Sequence, residues 1–147
     1  MQTADNIARW FLSRNKVLSL SGETDFISNL KLQKLLYYAQ GMHLALYGEP
    51  LFNDSIVAWQ YGPVVEDVYQ TYRANGSDGI KEFSQPEENF SDSEESVLQF
   101  TQKAFGQFSA WKLAEMTHEE TPWQETEANK VIHLSKIKKY FEENYVE

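Results

Sequence analysis

The chain contains no cysteine, so disulfides, thiolate metal sites and cysteine nucleophiles are excluded together. It also lacks any run approaching the roughly 20 apolar residues that cross a bilayer. Its opening residues, MQTADNIARWFLSRN, are polar and amphipathic and carry neither the apolar stretch nor the small-residue cleavage site of an export signal. A cytoplasmic protein is therefore expected. Glycine is sparse, and Gly41, Gly48, Gly62, Gly76 and Gly79 fit neither GxGxxG nor the P-loop spacing, which leaves loop and cap roles for them. The three histidines, His43, His118 and His133, stand far apart and none forms an HExxH pair. Without cysteine, a zinc site would have to recruit carboxylates from distant segments, so neither a metal nor another cofactor is expected.

Basic residues are in the minority, 13 against 22 acidic, and the imbalance is local. Residues 76–127 hold twelve acidic and three basic side chains, which by themselves account for the net charge of −9. Such a block repels phosphate backbones, so nucleic acid is not an expected partner, and a protein with a basic surface suits it better. An acidic face that only keeps the protein soluble accounts for the same numbers.

At 147 residues the chain fits one domain spanning 1–147, large enough to bury a core without covalent staples. Helical spacing dominates. Thr3 caps a first helix running to about Leu18, with Ile7, Trp10 and Phe11 on one face. Ser19 to Asp25 connects it to the clearest helix, which follows Ser28 or Asn29, carries Leu32, Leu35, Leu36 and Ala39 at three- and four-residue steps, and stops at Gly48 and Pro50. LFNDSIVAWQ, residues 51–60, suggests a short strand. Tyr61, Gly62 and Pro63 then turn the chain, with Pro63 in the first turn of a helix bearing Val64, Val65, Val68, Tyr69 and Tyr72. Residues 77–92 form a polar loop, expected to be mobile, with room for an extended piece from Ile80 to Phe83. Ser91 or Ser93 caps the next helix, with Ser91 standing three residues before Glu94 in a capping-box arrangement. A helix from Ser109 through Met116, a short one opened by Thr121 and Pro122, and a Ser135-capped last helix complete a mainly α, compact helical bundle with at most a small β element.

Few residues offer chemistry. THEETPW places His118 beside Glu119 and Glu120, a grouping fit for acid–base work only in a dry cleft, whereas neighbours on an exposed turn are usually solvated. Aromatic side chains gather at two polar connections: Trp59, Tyr61, Tyr69 and Tyr72 around YGPVV, and Trp111 and Trp123 around THEETP. Such residues suit a protein interface, and equally the packing of a turn against a helix. His43, amid Tyr37, Tyr38 and Tyr47, fits a satisfied, partly buried histidine better than a ligand. Gln33 and Lys34, in the distinctive run KLQKLLYYAQ, are compatible with ordinary solvated positions.

Three blocks in order, ISNLKLQKLLYYAQGMHLALYGEPLF, IVAWQYGPVVEDVY and THEETPW, resemble the Panacea domain family, also known as the SocA-like or GepA-type phage-associated domain. With the spacing between them they extend over roughly residues 5–141. Matching positions are Lys31, Leu32, Gln33, Lys34, Leu35, Tyr37, Tyr38 and Ala39 in the first block. The second contributes Ala58, Trp59, Tyr61, Gly62, Pro63, Val64 and Tyr69, and the third His118, Pro122 and Trp123. The resemblance implies an antitoxin that neutralises a protein toxin by direct contact, with no enzyme activity. A scaffold serving unrelated toxins should recognise them through variable loops and exposed helix faces, here residues 77–92 and the acidic helix after them. Two other readings remain: an adaptor handing a bound protein to a host protease, and a small hydrolase or transferase using His118 with Glu119 or Glu120.

Overall fold

The computed structural model describes residues 1–22 and 25–146; residues 23 and 24, inside the expected connector, and residue 147 lie outside the described part. The fold is mainly α, as expected. The elements are α1 (Ala4–Leu20), α2 (Asn29–Tyr47), β1 (Val57–Trp59), β2 (Gly62–Val64), α3 (Glu66–Thr71), a 3-10 turn (Arg73–Asn75), α4 (Asp92–Phe105), α5 (Ala110–His118), α6 (Thr121–Gln124) and α7 (Leu134–Asn144). Among the described residues no helix is long and apolar enough to cross a membrane.

Local chemistry sets the helix starts. The side chains of Thr3, Ser28, Ser91 and Ser109 accept from the backbone N–H groups of Asn6, Lys31, Glu94 and Lys112, and Ser91 with Glu94 closes a full capping box. Each cap satisfies a donor that has no partner inside its helix. The last helix departs from expectation: it begins at Leu134 after His133, and Ser135 does not cap it.

Helix α2 is the axis. It is buried on nearly all sides, against α7, α4, α5 and α1, which is the behaviour of a central helix rather than of an amphipathic surface one. Leu32, Leu35, Leu36, Tyr37, Tyr38 and Ala39 are all fully inside, together with Phe11, Phe52 and Phe141. Gly41 corrects the sequence reading. It lies mid-helix, not in a loop or cap, and the Phe141 ring of α7 occupies the space a Cβ would need. A side chain there would hold α7 away from α2.

The segment after Pro50 also differs from expectation. Gly62–Val64 is a strand, antiparallel to β1 with Val57 opposite Val64, Ala58 opposite Pro63 and Trp59 opposite Gly62. The chain therefore turns at Gln60 and Tyr61, and Pro63 does not open a helix; α3 begins at Glu66. Proline is compatible with this strand because the Pro63 position needs no N–H toward β1.

Residues 77–91 contain no helix or strand, so the expected extended piece from Ile80 to Phe83 is not a ladder strand, and Asp92 already belongs to α4. The loop is tied at both ends. Ile80 is buried and its N–H donates to the Ile27 carbonyl at 2.7 Å. Near the other end the buried Asn6 side chain accepts from the Glu87 N–H at 2.7 Å and donates to the Glu87 carbonyl at 3.1 Å.

Candidate functional site

Side chains from α2, α5 and α6 converge on the backbone of the β1–β2 hairpin. A short strand at a sheet edge leaves backbone groups unpaired, and here α2 supplies their partners. Lys34 Nζ donates to the Pro63 carbonyl at 2.9 Å, and the Val65 N–H donates to Gln33 Oε1 at 2.9 Å. The Gln33 amide is itself oriented by donating to Asn29 Oδ1 at 3.0 Å. The two residues act as a substitute third strand, and both are buried rather than solvated. On the far side β1 is covered by backbone: the Ala58 N–H donates to the Lys130 carbonyl, the Asn129 N–H to the Ala58 carbonyl and the Ile132 N–H to the Ile56 carbonyl.

The late block closes the loop end. Trp123 Nε1–H donates to the Trp59 carbonyl at 2.8 Å, and His118 Nε2 meets the Gln60 carbonyl at 2.9 Å, which calls for the proton on that nitrogen. The imidazole lies over the Trp123 ring with centroids 4.3 Å apart. Pro122 is buried in the first turn of α6 and helps set the angle at which Trp123 approaches. Polar side chains from two blocks thus hold the backbone of the third. Gly62 permits this. Its φ is +113°, and an added Cβ would stand 2.7 Å from Thr117 Oγ1 and 2.8 Å from Lys34 Cε.

Behind the hairpin sits a buried carboxylate. Glu120, expected on a solvated turn, is 2 % exposed. It accepts from the hydroxyls of Tyr37 at 2.8 Å, Tyr38 at 2.8 Å and Tyr145 at 2.6 Å. Burial raises its pKa, and the three phenol donors act against that rise. The same burial, with the carboxylate beside them, pushes all three phenols well above the usual tyrosine range. Glu119 faces solvent, so His118, Glu119 and Glu120, adjacent in sequence, point to three different surroundings. Glu120 and Tyr145 were not legible as a pair, since adjacent tyrosines on a helix call for an acceptor without naming it.

The remaining positions divide between two faces. Lys31 points away from the hairpin and donates to the Gly106 carbonyl at 2.6 Å; burial lowers its pKa, against a smaller rise from Asp25. Trp59 and Tyr69 meet edge to face at 4.9 Å, and Tyr61 meets Trp111 at 5.8 Å. These four aromatics wall a groove of about 560 Å³ beside the hairpin, with Gln33 and Lys34 also lining it. Tyr61 is 50 % and Trp111 60 % exposed, so the two aromatic groups seen in the sequence meet at the groove's mouth. Among the described residues the lining includes no carboxylate and one cation, Lys34. Burial without a counter-ion lowers the Lys34 pKa to about 7. Among the described residues, no group of three or more histidine, aspartate or glutamate side chains is placed to hold a metal ion.

A helical domain that spends its distinctive polar side chains on holding one hairpin is built around a motif, and the motif identifies its class. Residues 32–124, from α2 through α6, match the family described as Antitoxin SocA-like, Panacea domain, and the chain belongs to that family. A curated relative, antitoxin SocA of Caulobacter vibrioides (strain NA1000 / CB15N), is 54 % identical over 50 residues, which cover 34 % of this chain and 27 % of that protein. No solved structure matches the chain.

Proposed function

We propose that this protein is the antitoxin of a toxin–antitoxin pair and neutralises a cytoplasmic protein toxin by binding it directly. The observation that carries the reading is how the signature side chains are used. Gln33, Lys34, His118 and Trp123 are committed to backbone groups of the hairpin, and Tyr37 and Tyr38 to Glu120, while the hairpin tip carries Tyr61 outward beside Trp111. Large amphipathic side chains at a rigidly held tip are what interface anchors look like. The matched family and the SocA relative are named antitoxins, which supports the same reading. On this reading one domain carries the whole activity, and the acidic stretch 76–127 meets a basic surface on the toxin.

The hydrolase alternative loses its geometry, because His118 contacts a carbonyl and lies on Trp123 while Glu120 is held by three phenols. Direct binding predicts stoichiometry. Titrating the purified protein against the toxin encoded beside it should restore the activity of the toxin's target at close to one equivalent, with co-elution of the two chains at submicromolar affinity, about −8 kcal/mol or better. Full inactivation by a small fraction of an equivalent, with a covalently altered toxin in the mass spectrum, would replace binding by catalysis.

A further inference from the structure

The groove beside the hairpin is lined by a buried amine that no carboxylate among the described residues answers. Lys34 is fully buried and donates one N–H to the Pro63 carbonyl. Among the described residues no carboxylate forms an ion pair with it, and none lines the groove. The contrast with Glu120 is informative, since that buried charge is met by three donors. A buried ammonium with unspent donors and no counter-charge is costly to keep, and replacing it by an apolar residue of similar volume would remove the cost. Its hydrogen bond to Pro63 accounts for one of its three N–H groups.

What surrounds the amine narrows what would answer it. Trp59, Tyr61, Tyr69 and Trp111 offer ring faces and edges to an apolar body, and Asn29 and Asn129 add neutral amides to the lining. Tyr61 sits on the two-residue hairpin loop, half exposed, which makes it the wall of the groove with the most freedom to move. We infer that this groove is a docking site on the antitoxin for a carboxylate next to an aromatic or aliphatic side chain, presented by the toxin, with Lys34 as the ion-pair partner and the four aromatics around the apolar neighbour. The inference rests on the direct-binding reading and adds the chemistry of the contact. It is compatible with a basic toxin surface elsewhere, because the acidic residues of the 82–95 segment lie outside the groove lining.

The test uses the full chain, labelled with nitrogen-15, and a pair of probes differing only in charge: N-acetylphenylalanine and its amide. Below neutral pH the acid should shift the indole N–H signals of Trp59 and Trp111 and bind roughly ten-fold more tightly than the amide, the usual worth of one charge-assisted contact. Lys34→Met should abolish that preference. Should that variant fail to fold, Trp111→Ala, altered at an exposed position, should still weaken both probes. Equal affinity for acid and amide, or no shift at either indole, overturns the proposal. Its failure is separable from failure of the direct-binding reading: stoichiometric co-elution of the toxin with Trp111→Ala at undiminished affinity keeps direct binding and removes the groove, whereas absence of any complex removes direct binding itself.

Discussion

At Gly62 two constraints coincide. The backbone sits at φ +113°, where a side chain is disfavoured, and the space a Cβ would take is filled by Thr117 and Lys34. Strain and overpacking add, so Gly62→Val should cost on the order of 3 kcal/mol. An unchanged thermal midpoint in that variant would contradict the packing described here. Lys34 makes a second residue-scale prediction through its titration. With a folded pKa near 7 against an ordinary value of 10.5, the unfolded chain binds a proton that the folded chain does not throughout the interval between them. Stability should therefore rise with pH across that interval, at up to about 1.4 kcal/mol per pH unit. Lys31, lowered in the same direction, adds to the rise, while the raised tyrosines act oppositely above their ordinary value of 10.0, so the window to measure is pH 7 to about 9.5. Urea denaturation should show the rise in the native protein and most of it gone in Lys34→Met.

Among the elements, α2 and α7 depend on each other through one missing side chain. The Phe141 ring lies against the α2 backbone at Gly41, so Gly41→Ala, which favours an isolated helix by up to about 1 kcal/mol, should instead destabilise this one by roughly 1 to 3 kcal/mol. Increased stability of that variant would show that α7 adjusts freely. Loss of α7 contact would also disturb the Glu120 network, since Tyr145, just past the helix end, supplies one of its three donors. The hairpin is the opposite kind of element. Two three-residue strands would not persist alone in water, and this pair is held by hydrogen bonds from α2, α5, α6 and the 129–132 segment. The periodic pattern of residues 64–72 suggested a helix opening at Pro63. Val64 and Val65 belong instead to the strand and its exit, because β-branched residues and a proline free of ladder duty suit an edge strand held from outside.

For the whole molecule, charge and shape act at different ranges. The acidic residues of 76–127 are mostly at the surface, so their field should speed association with a basic toxin and be screened beyond about 8 Å at physiological ionic strength. The association rate should fall as salt rises from low to high; a flat rate would leave the acidity to solubility alone. Local rules were enough for most of the helices, though not for the start of α3 or the cap of α7. Caps at Thr3, Ser28, Ser91 and Ser109, the stop at Gly48 and the mainly α class follow from short-range hydrogen bonding and spacing, which a sequence states directly. The absence of cysteine and the three motif blocks are likewise properties of the sequence itself. Tertiary structure alone decided the fate of the polar residues. Gln33 and Lys34 lie on a helix with no exposed face at that height, and Glu120 follows two residues that keep separate company, so whether each is solvated or buried depends on partners 25 to 83 positions away. A polar side chain carries the same local pattern in either place. Only the arrival of Pro63, Val65, Tyr37, Tyr38 and Tyr145 provides the hydrogen bonds that make burial tolerable.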